Sequence, residues 1–115
     1  VAVPISKYSE MVEFCKKEVR ELKAYLFGHA GDGNIHVHVM DDPQDRKRWT
    51  RVEEAGVAIV LRALELEGTC TGEHGVGIGK IRFMEREHGD SLDLMKRLKA
   101  LIDPDHLLNP GKFFP

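Results

Sequence analysis

Cysteine is scarce in this sequence, because Cys15 and Cys70 are the only two among 115 residues. They lie far apart and form no CxxC pair. A disulfide framework is therefore not expected, and both thiols are predicted to be reduced and buried.

An excess of positive charge is also absent. Lys and Arg number 17 against 19 Asp and Glu, which gives a formal net charge of −2 and no reason to expect binding to nucleic acid or to an anionic membrane. The longest apolar runs are only a few residues, and no charged segment precedes an apolar stretch. Neither a transmembrane segment nor a signal peptide is expected. We therefore expect a cytoplasmic protein, with peripheral membrane attachment through partner subunits as the alternative.

The length fits one compact domain, but the first residues are typical of a longer polypeptide. No Met precedes them, and Val1–Ile5 already has the composition of a strand, which Pro4 confines to a sheet edge or a strand end. We expect the chain to be a fragment of a longer polypeptide, cut at its N-terminal side.

Hydrophobic periodicity predicts an α+β fold. The expected order is strand, helix, two strands, helix, loop and helix, with a short antiparallel sheet covered by helices on one face. The predicted segments are a strand at 1–5, a helix at 7–23, hairpin strands at 24–29 and 34–40, a helical stripe from Trp49 to near Gly68, a short helix at 81–88, and a last helix that Asp90 or Ser91 caps and Pro104 ends.

The hairpin contains three of the six histidines. With residues 30–33 as the turn, His29 is opposite Asn34, and His36 lies diagonally across on the same face, followed by His38. Diagonal neighbours are about 7–8 Å apart, near enough for two imidazoles to reach one ion. The opposite, packing face carries Ile35, Val37 and Val39. The alternative is that these histidines are ordinary residues of a β-surface.

A second polar cluster, Thr71–Gly77, lies in a predicted glycine-rich loop that extends over residues 67–80. Glu73 is a candidate third ligand for a divalent metal, since a His2Glu set leaves positions open for substrate. His74 is a candidate general base, because imidazole titrates near neutral pH. The alternative is a flexible turn with two solvated polar residues.

Three common motifs are excluded. Gly75–Lys80 faintly resembles a phosphate loop, but His74 occupies the position of the first required Gly, and Ile81 occupies that of the Ser or Thr. No GxGxxG spacing occurs. His29 and His36 are too far apart for HExxH.

Three segments resemble signatures of one family. Gly28–His36 resembles GHxGDGNxH, Gly72–Gly77 resembles GEHGVG, and Asp103–Lys112 resembles a closing DPxxxLNPGK. On these motifs, which cover essentially residues 1–112, the chain is identified as a member of the FAD-linked oxidase C-terminal domain family. That family is similar to the group of D-lactate dehydrogenase, glycolate oxidase FAD subunit and D-2-hydroxyglutarate dehydrogenase, which are flavoproteins of the vanillyl-alcohol oxidase type.

The resemblance implies a reaction and a metal site. Members oxidise a D-2-hydroxy acid to the 2-oxo acid and pass a hydride to FAD, which a domain outside this sequence would mainly bind. His29, His36 and Glu73 would bind a divalent metal, zinc or manganese. His74 would be the catalytic residue that accepts the proton of the substrate hydroxyl.

The resemblance also implies roles for three further residues. Asn34 and Asn109 would be cofactor-binding residues on the flavin or substrate side. His38 departs from the family, which often has a substrate-contacting Asn there, so His38 is predicted to bind substrate and the identity of the substrate stays open. The Arg that binds the substrate carboxylate in family members is expected upstream of this sequence.

The implied partners are a small 2-hydroxy acid of the lactate, glycolate or 2-hydroxyglutarate type, an upstream FAD-binding domain, and either a second copy of the chain or other oxidase subunits. The chain alone is expected to bind no FAD tightly and to turn over no substrate. Two other functions stay open at this point: a stand-alone metal-binding or subunit-interaction module, and a degenerate flavoprotein domain retained as an assembly surface.

Overall fold

The computed structural model describes residues 1–112 and 114. These residues form two compact units, Val1–Glu73 and the segment from His74 onward. Within the described residues, no helix combines the length and the hydropathy needed to cross a membrane. The elements confirm the predicted α+β class, with helices and a two-stranded antiparallel sheet.

The core of the first unit lies between two helices. Helix α1 is Tyr8–Glu18, preceded by a 3-10 turn at Ile5–Lys7. Helix α2 is Arg46–Glu65 and begins where the Asp45 carboxylate accepts a hydrogen bond from the Arg48 N–H at 3.1 Å, which satisfies one of the free N–H groups of the first turn. The most buried side chains of both helices meet in one cluster, which includes Met11, Cys15, Ala55, Ile59 and Ala63.

Helix α1 ends five residues before the predicted bound at residue 23. The chain instead turns back through residues 19–23, where the Leu22 N–H donates to the Val19 carbonyl at 2.9 Å. Leu22 still packs against the core from that turn. Its helical spacing therefore indicated burial correctly, whereas the helix itself stops so that the next strand can begin at Ala24.

The sheet consists of β1, Ala24–Phe27, and β2, His36–Val39. Its register pairs Ala24 with Val39 and Phe27 with His36. Leu26 and Val37 pack against the core, whereas Phe27, on the other face, is 52% exposed. The predicted hairpin, with one face covered by helices, is confirmed.

The prediction of a strand at 1–5 is wrong, because these residues form isolated bridges and no regular strand. Ala2 forms single antiparallel bridges, to Asn34 on one side and to Thr69 on the other. Pro4 has no N–H to extend either ladder, and the 3-10 turn begins one residue later. Val1–Val3 nevertheless connects two parts of the unit, because Ala2 bridges both the end of the hairpin and the segment that follows α2.

The second unit consists of short helices. They are α3 at Gly77–Lys80, a 3-10 turn at Ile81–Phe83, α4 at Met84–His88 and α5 at Ser91–Ile102. Helix α3 lies within the predicted glycine-rich loop. Asp90 occupies the predicted N-cap position of α5, but its side chain makes no capping hydrogen bond. Helix α5 exposes an apolar face that includes Leu94, Leu98, Leu101 and Ile102.

Asp103 closes the end of α5. Its carboxylate accepts hydrogen bonds from the Leu107 N–H at 2.8 Å and the Leu108 N–H at 3.0 Å, and it pairs with the Lys99 ammonium group. The Lys99 hydrogen bond, together with these N–H groups, lowers the pKa of Asp103 below its ordinary value. The DPxxxLNPGK segment therefore begins with a buried carboxylate that orders the loop behind it.

Candidate functional site

Three side chains of the first unit converge on one point. One ligand atom from each of His29, His36 and Glu73 can be chosen so that all three lie within 4.8 Å of one another. Glu73 Oε1 lies 2.9 Å from His36 Nε2, and Glu73 Oε2 lies 3.7 Å from His29 Nε2. Each imidazole therefore faces a different oxygen of the same carboxylate.

The hairpin positions the two histidines as the spacing predicted. His29 and Asn34 exchange backbone hydrogen bonds of 3.1 and 3.2 Å, so they form the pair that closes the turn. The next hydrogen-bonded pair is Phe27 with His36. The rings of His29 and His36 lie 5.9 Å apart between centroids and are nearly perpendicular, at 83°.

Glu73 reaches the histidines through the N-terminal segment. The Ala2 N–H donates to the Thr69 carbonyl at 3.1 Å, and the Thr69 N–H donates back to the Ala2 carbonyl at 2.8 Å. The same Ala2 bridges Asn34, two residues before His36. Because Glu73 follows Thr69 by four residues, this double bridge brings its carboxylate to the end of the hairpin.

The donor set fits a divalent cation. Two imidazole nitrogens and a carboxylate suit zinc or manganese. Zinc bonds of about 2.0–2.1 Å place tetrahedral ligands about 3.3 Å apart, within the range of the separations found here. The side chains of His29, Glu73 and His36 are 60%, 43% and 16% exposed. One side of the cluster is thus accessible from solvent.

Asn34, predicted to bind cofactor, is buried beside this cluster. Only 4% of the residue is exposed, so it has almost no surface left for contact with a bound molecule. Its side chain lies against Gly72, where a Cβ atom would be 2.9 Å from Asn34 Oδ1. That oxygen has no hydrogen-bond partner among the described residues.

Comparison with known proteins agrees with the motifs. The family of FAD linked oxidases, C-terminal domain, matches residues 1–113. This chain belongs to that family. The resemblance inferred from the three motifs is confirmed.

Several curated relatives are longer proteins that contain a segment similar to this chain. The chain is 42% identical to a mitochondrial D-lactate dehydrogenase (cytochrome) of Arabidopsis thaliana, over 100% of this chain and 21% of that protein. It is 44% identical to the corresponding protein of Kluyveromyces lactis, over 99% of this chain and 20% of that protein. It is 42% identical to the glycolate oxidase subunit GlcD of Bacillus subtilis, over 97% of this chain and 24% of that protein. The chain thus spans about a fifth to a quarter of the length of these relatives.

In this FAD-linked oxidase domain, His38 does not join the three-residue cluster. It is exposed on β2, and its ring lies nearly perpendicular to that of Phe27, at 76° and 4.8 Å between centroids. Phe27 also stacks on His36 at 5.1 Å and 25°. Sequence reasoning did not assign a role to Phe27, although its place two residues before His29 could have indicated it.

The two remaining predicted site residues, His74 and Asn109, lie in the second unit. His74 is exposed and follows Glu73 directly in the chain. Asn109 is exposed, has a φ of 48°, and accepts a hydrogen bond from the Lys112 N–H at 3.2 Å. Their roles as base and cofactor-binding residue stay predictions.

Proposed function

We propose that this domain supplies the substrate side of an FAD-dependent oxidoreductase that converts a D-2-hydroxy acid to its 2-oxo acid. The observation that carries the proposal is the cluster of His29, His36 and Glu73 in a domain of the FAD-linked oxidase family. Relatives named D-lactate dehydrogenase and glycolate oxidase subunit support a substrate of the lactate or glycolate type.

His29, His36 and Glu73 would hold a divalent metal, zinc or manganese. When bound, the metal would lower the pKa of the substrate hydroxyl and orient the substrate, and FAD would accept the hydride. The three protein ligands would leave positions open for the carboxylate and hydroxyl oxygens of a 2-hydroxy acid. The exposure of His29 and Glu73 supports entry of a small substrate from that side.

His74 would accept the hydroxyl proton as the hydride leaves Cα. A neutral imidazole is suited to this step near neutral pH. His74 directly follows Glu73 in the sequence. His38 would contact the substrate, and Asn109 would lie on the flavin side.

The FAD-binding region would be another domain of the longer protein, and the chain alone would not turn over substrate. The family description and the share of each relative that the chain covers support this partner. A homodimer, association with other oxidase subunits and a cytoplasmic location also stay predictions.

The test is a comparison of flavin reduction in the full-length protein by D-lactate, glycolate and D-2-hydroxyglutarate, with and without a chelator. The variants are His29→Ala, Glu73→Gln and, for the base, His74→Gln. His106→Asn is the matched control, because His106 is an exposed histidine outside the cluster whose positive φ of 52° Asn tolerates.

We expect the chelator and both ligand variants to remove bound metal and to slow flavin reduction, while His74→Gln slows reduction and retains the metal. Unchanged metal content and activity in both ligand variants would refute the metal site. Metal binding without flavin reduction by any hydroxy acid would instead favour the stand-alone metal-binding module.

A further inference from the structure

Asn34 has neighbours in all three segments that carry the candidate ligands. It precedes His36 by two residues, and its backbone pairs with that of His29 through hydrogen bonds of 3.1 and 3.2 Å. Its side chain lies against Gly72, which immediately precedes Glu73. The relative placement of the three ligands therefore depends on the space around this residue.

The contact between Asn34 and Gly72 is steric. A Cβ atom on Gly72 would lie 2.9 Å from Asn34 Oδ1 and 3.0 Å from both Cγ and Nδ2. The Asn34 side chain cannot swing into solvent to make room, because the residue is only 4% exposed. A side chain at position 72 would therefore force a local shift, which we expect to move the following Glu73 away from the hairpin.

The carbonyl oxygen of the buried amide lies against Gly72 and makes no hydrogen bond within the described residues. Asn34 Oδ1 has no hydrogen-bond partner among the described residues, and a buried acceptor without a partner costs free energy. An apolar side chain of similar size would avoid that cost. Among the described residues, the amide group fills the space beside Gly72.

We propose that Asn34 is a positioning residue of this site, which sets the distance from Glu73 to His29 and His36 through its packing against Gly72. The identity of the ion rests on the proposed function, but the steric relation does not. Residues that orient metal ligands typically change metal affinity about 10- to 100-fold when they are replaced.

The test is zinc affinity of the 115-residue chain, measured by competition with a chromophoric chelator, for Gly72→Ala, Asn34→Ala and the double variant. Gly31→Ala is the control, because nothing lies within 4 Å of a Cβ at that position. Neither glycine has a φ in the left-handed region, so left-handed strain affects neither variant.

We expect Gly72→Ala to weaken zinc binding about tenfold or more and Gly31→Ala to leave it unchanged. The double variant should bind zinc more tightly than Gly72→Ala, because the new methyl group occupies the space that the truncated amide leaves. Equal affinities for Gly72→Ala and Gly31→Ala overturn the proposal. If Asn34→Ala does not fold, that pair of single variants still decides it.

A readout without metal separates this proposal from the proposed function. At fixed pH, the ¹⁵N shifts of the His36 ring should move in Gly72→Ala toward those of Glu73→Gln, in which the carboxylate is lost, and should not move in Gly31→Ala. If the wild-type chain binds no zinc, the metal site fails while the shifts still test the positioning role. Unchanged shifts in Gly72→Ala would refute the positioning role alone.

Discussion

Gly33 offers the sharpest test of how the site is held together. Its φ is +70°, and a Cβ atom there would lie only 1.9 Å from the carbonyl oxygen of Val3. The same two residues are joined by the hydrogen bond from the Val3 N–H to the Gly33 carbonyl, at 3.0 Å. Replacement of Gly33 by Ala should therefore separate the N-terminal segment from the hairpin.

The loss of stability expected for Gly33→Ala has two sources. A left-handed conformation costs an L-residue about 1–2 kcal/mol, and a buried backbone group left without its partner costs about 1–3 kcal/mol. The free energy of unfolding should fall by about 2–5 kcal/mol. That is a large part of the 5–15 kcal/mol typical of a domain.

Urea unfolding followed by the fluorescence of Trp49 measures this loss, because the only tryptophan is on α2 of the first unit. With a slope of about 2 kcal/mol per molar urea, the midpoint of Gly33→Ala should drop by about 1–2.5 M. Gly31→Ala, in the same turn but with open space around its Cβ, should stay at or slightly above the wild-type midpoint. Equal midpoints for the two variants would refute the close packing of Val3 against the turn.

Three other outcomes are expected. Met11→Ala should lower the free energy of unfolding by about 2–5 kcal/mol, because Met11 has no exposed surface, whereas Met40→Ala, at a residue 54% exposed, should change it by about 0.5 kcal/mol or less. Burial raises the pKa of the Cys15 thiol to about 11, so an alkylating reagent at pH 8 should modify it only after the first unit unfolds, as mass spectrometry of peptides would show. Because the pKa of Asp103 is lowered in the folded state, its contribution to stability is present above the unfolded pKa and is lost as the pH falls through the folded value. The gap between the thermal midpoints of wild type and Asp103→Asn should therefore narrow as the pH is lowered from 7 to 2.

The hairpin could be predicted from the sequence because its determinants are local. Alternation of residues 34–39 fixed which side chains share a face, and the turn at residues 30–33 fixed the pairing of His29 with Asn34. The placement of two of the three candidate ligands, His29 and His36, follows from that pairing alone. The burial of Asn34 could not be predicted in the same way, because alternation assigns a residue to a face but does not say which segment covers it.

Glu73 illustrates what local pattern could not establish. Its approach to His36 depends on Ala2, which bridges Asn34 and Thr69 at once, so three segments distant in sequence must meet. The composition of Val1–Ile5 indicated only a strand and gave no partner for it. The metal set involving Glu73 was a hypothesis from residue chemistry and family resemblance, and only the tertiary arrangement brings the three side chains together.

The site and the fold of the first unit are consequently one cooperative structure. Neither His29 nor Glu73 can reach the other unless Val1–Val3 lies between the hairpin and Thr69, and an unfolded chain does not preserve that bridge. A cation held by all three side chains would bind the folded unit and not the unfolded chain. It would therefore raise the free energy of unfolding by about 2.7 kcal/mol when its concentration is a hundred times its dissociation constant. Substitutions at Gly33 and Gly72 should then weaken metal binding by different routes, the first by loosening the bridge and the second by displacing Glu73 within an intact one.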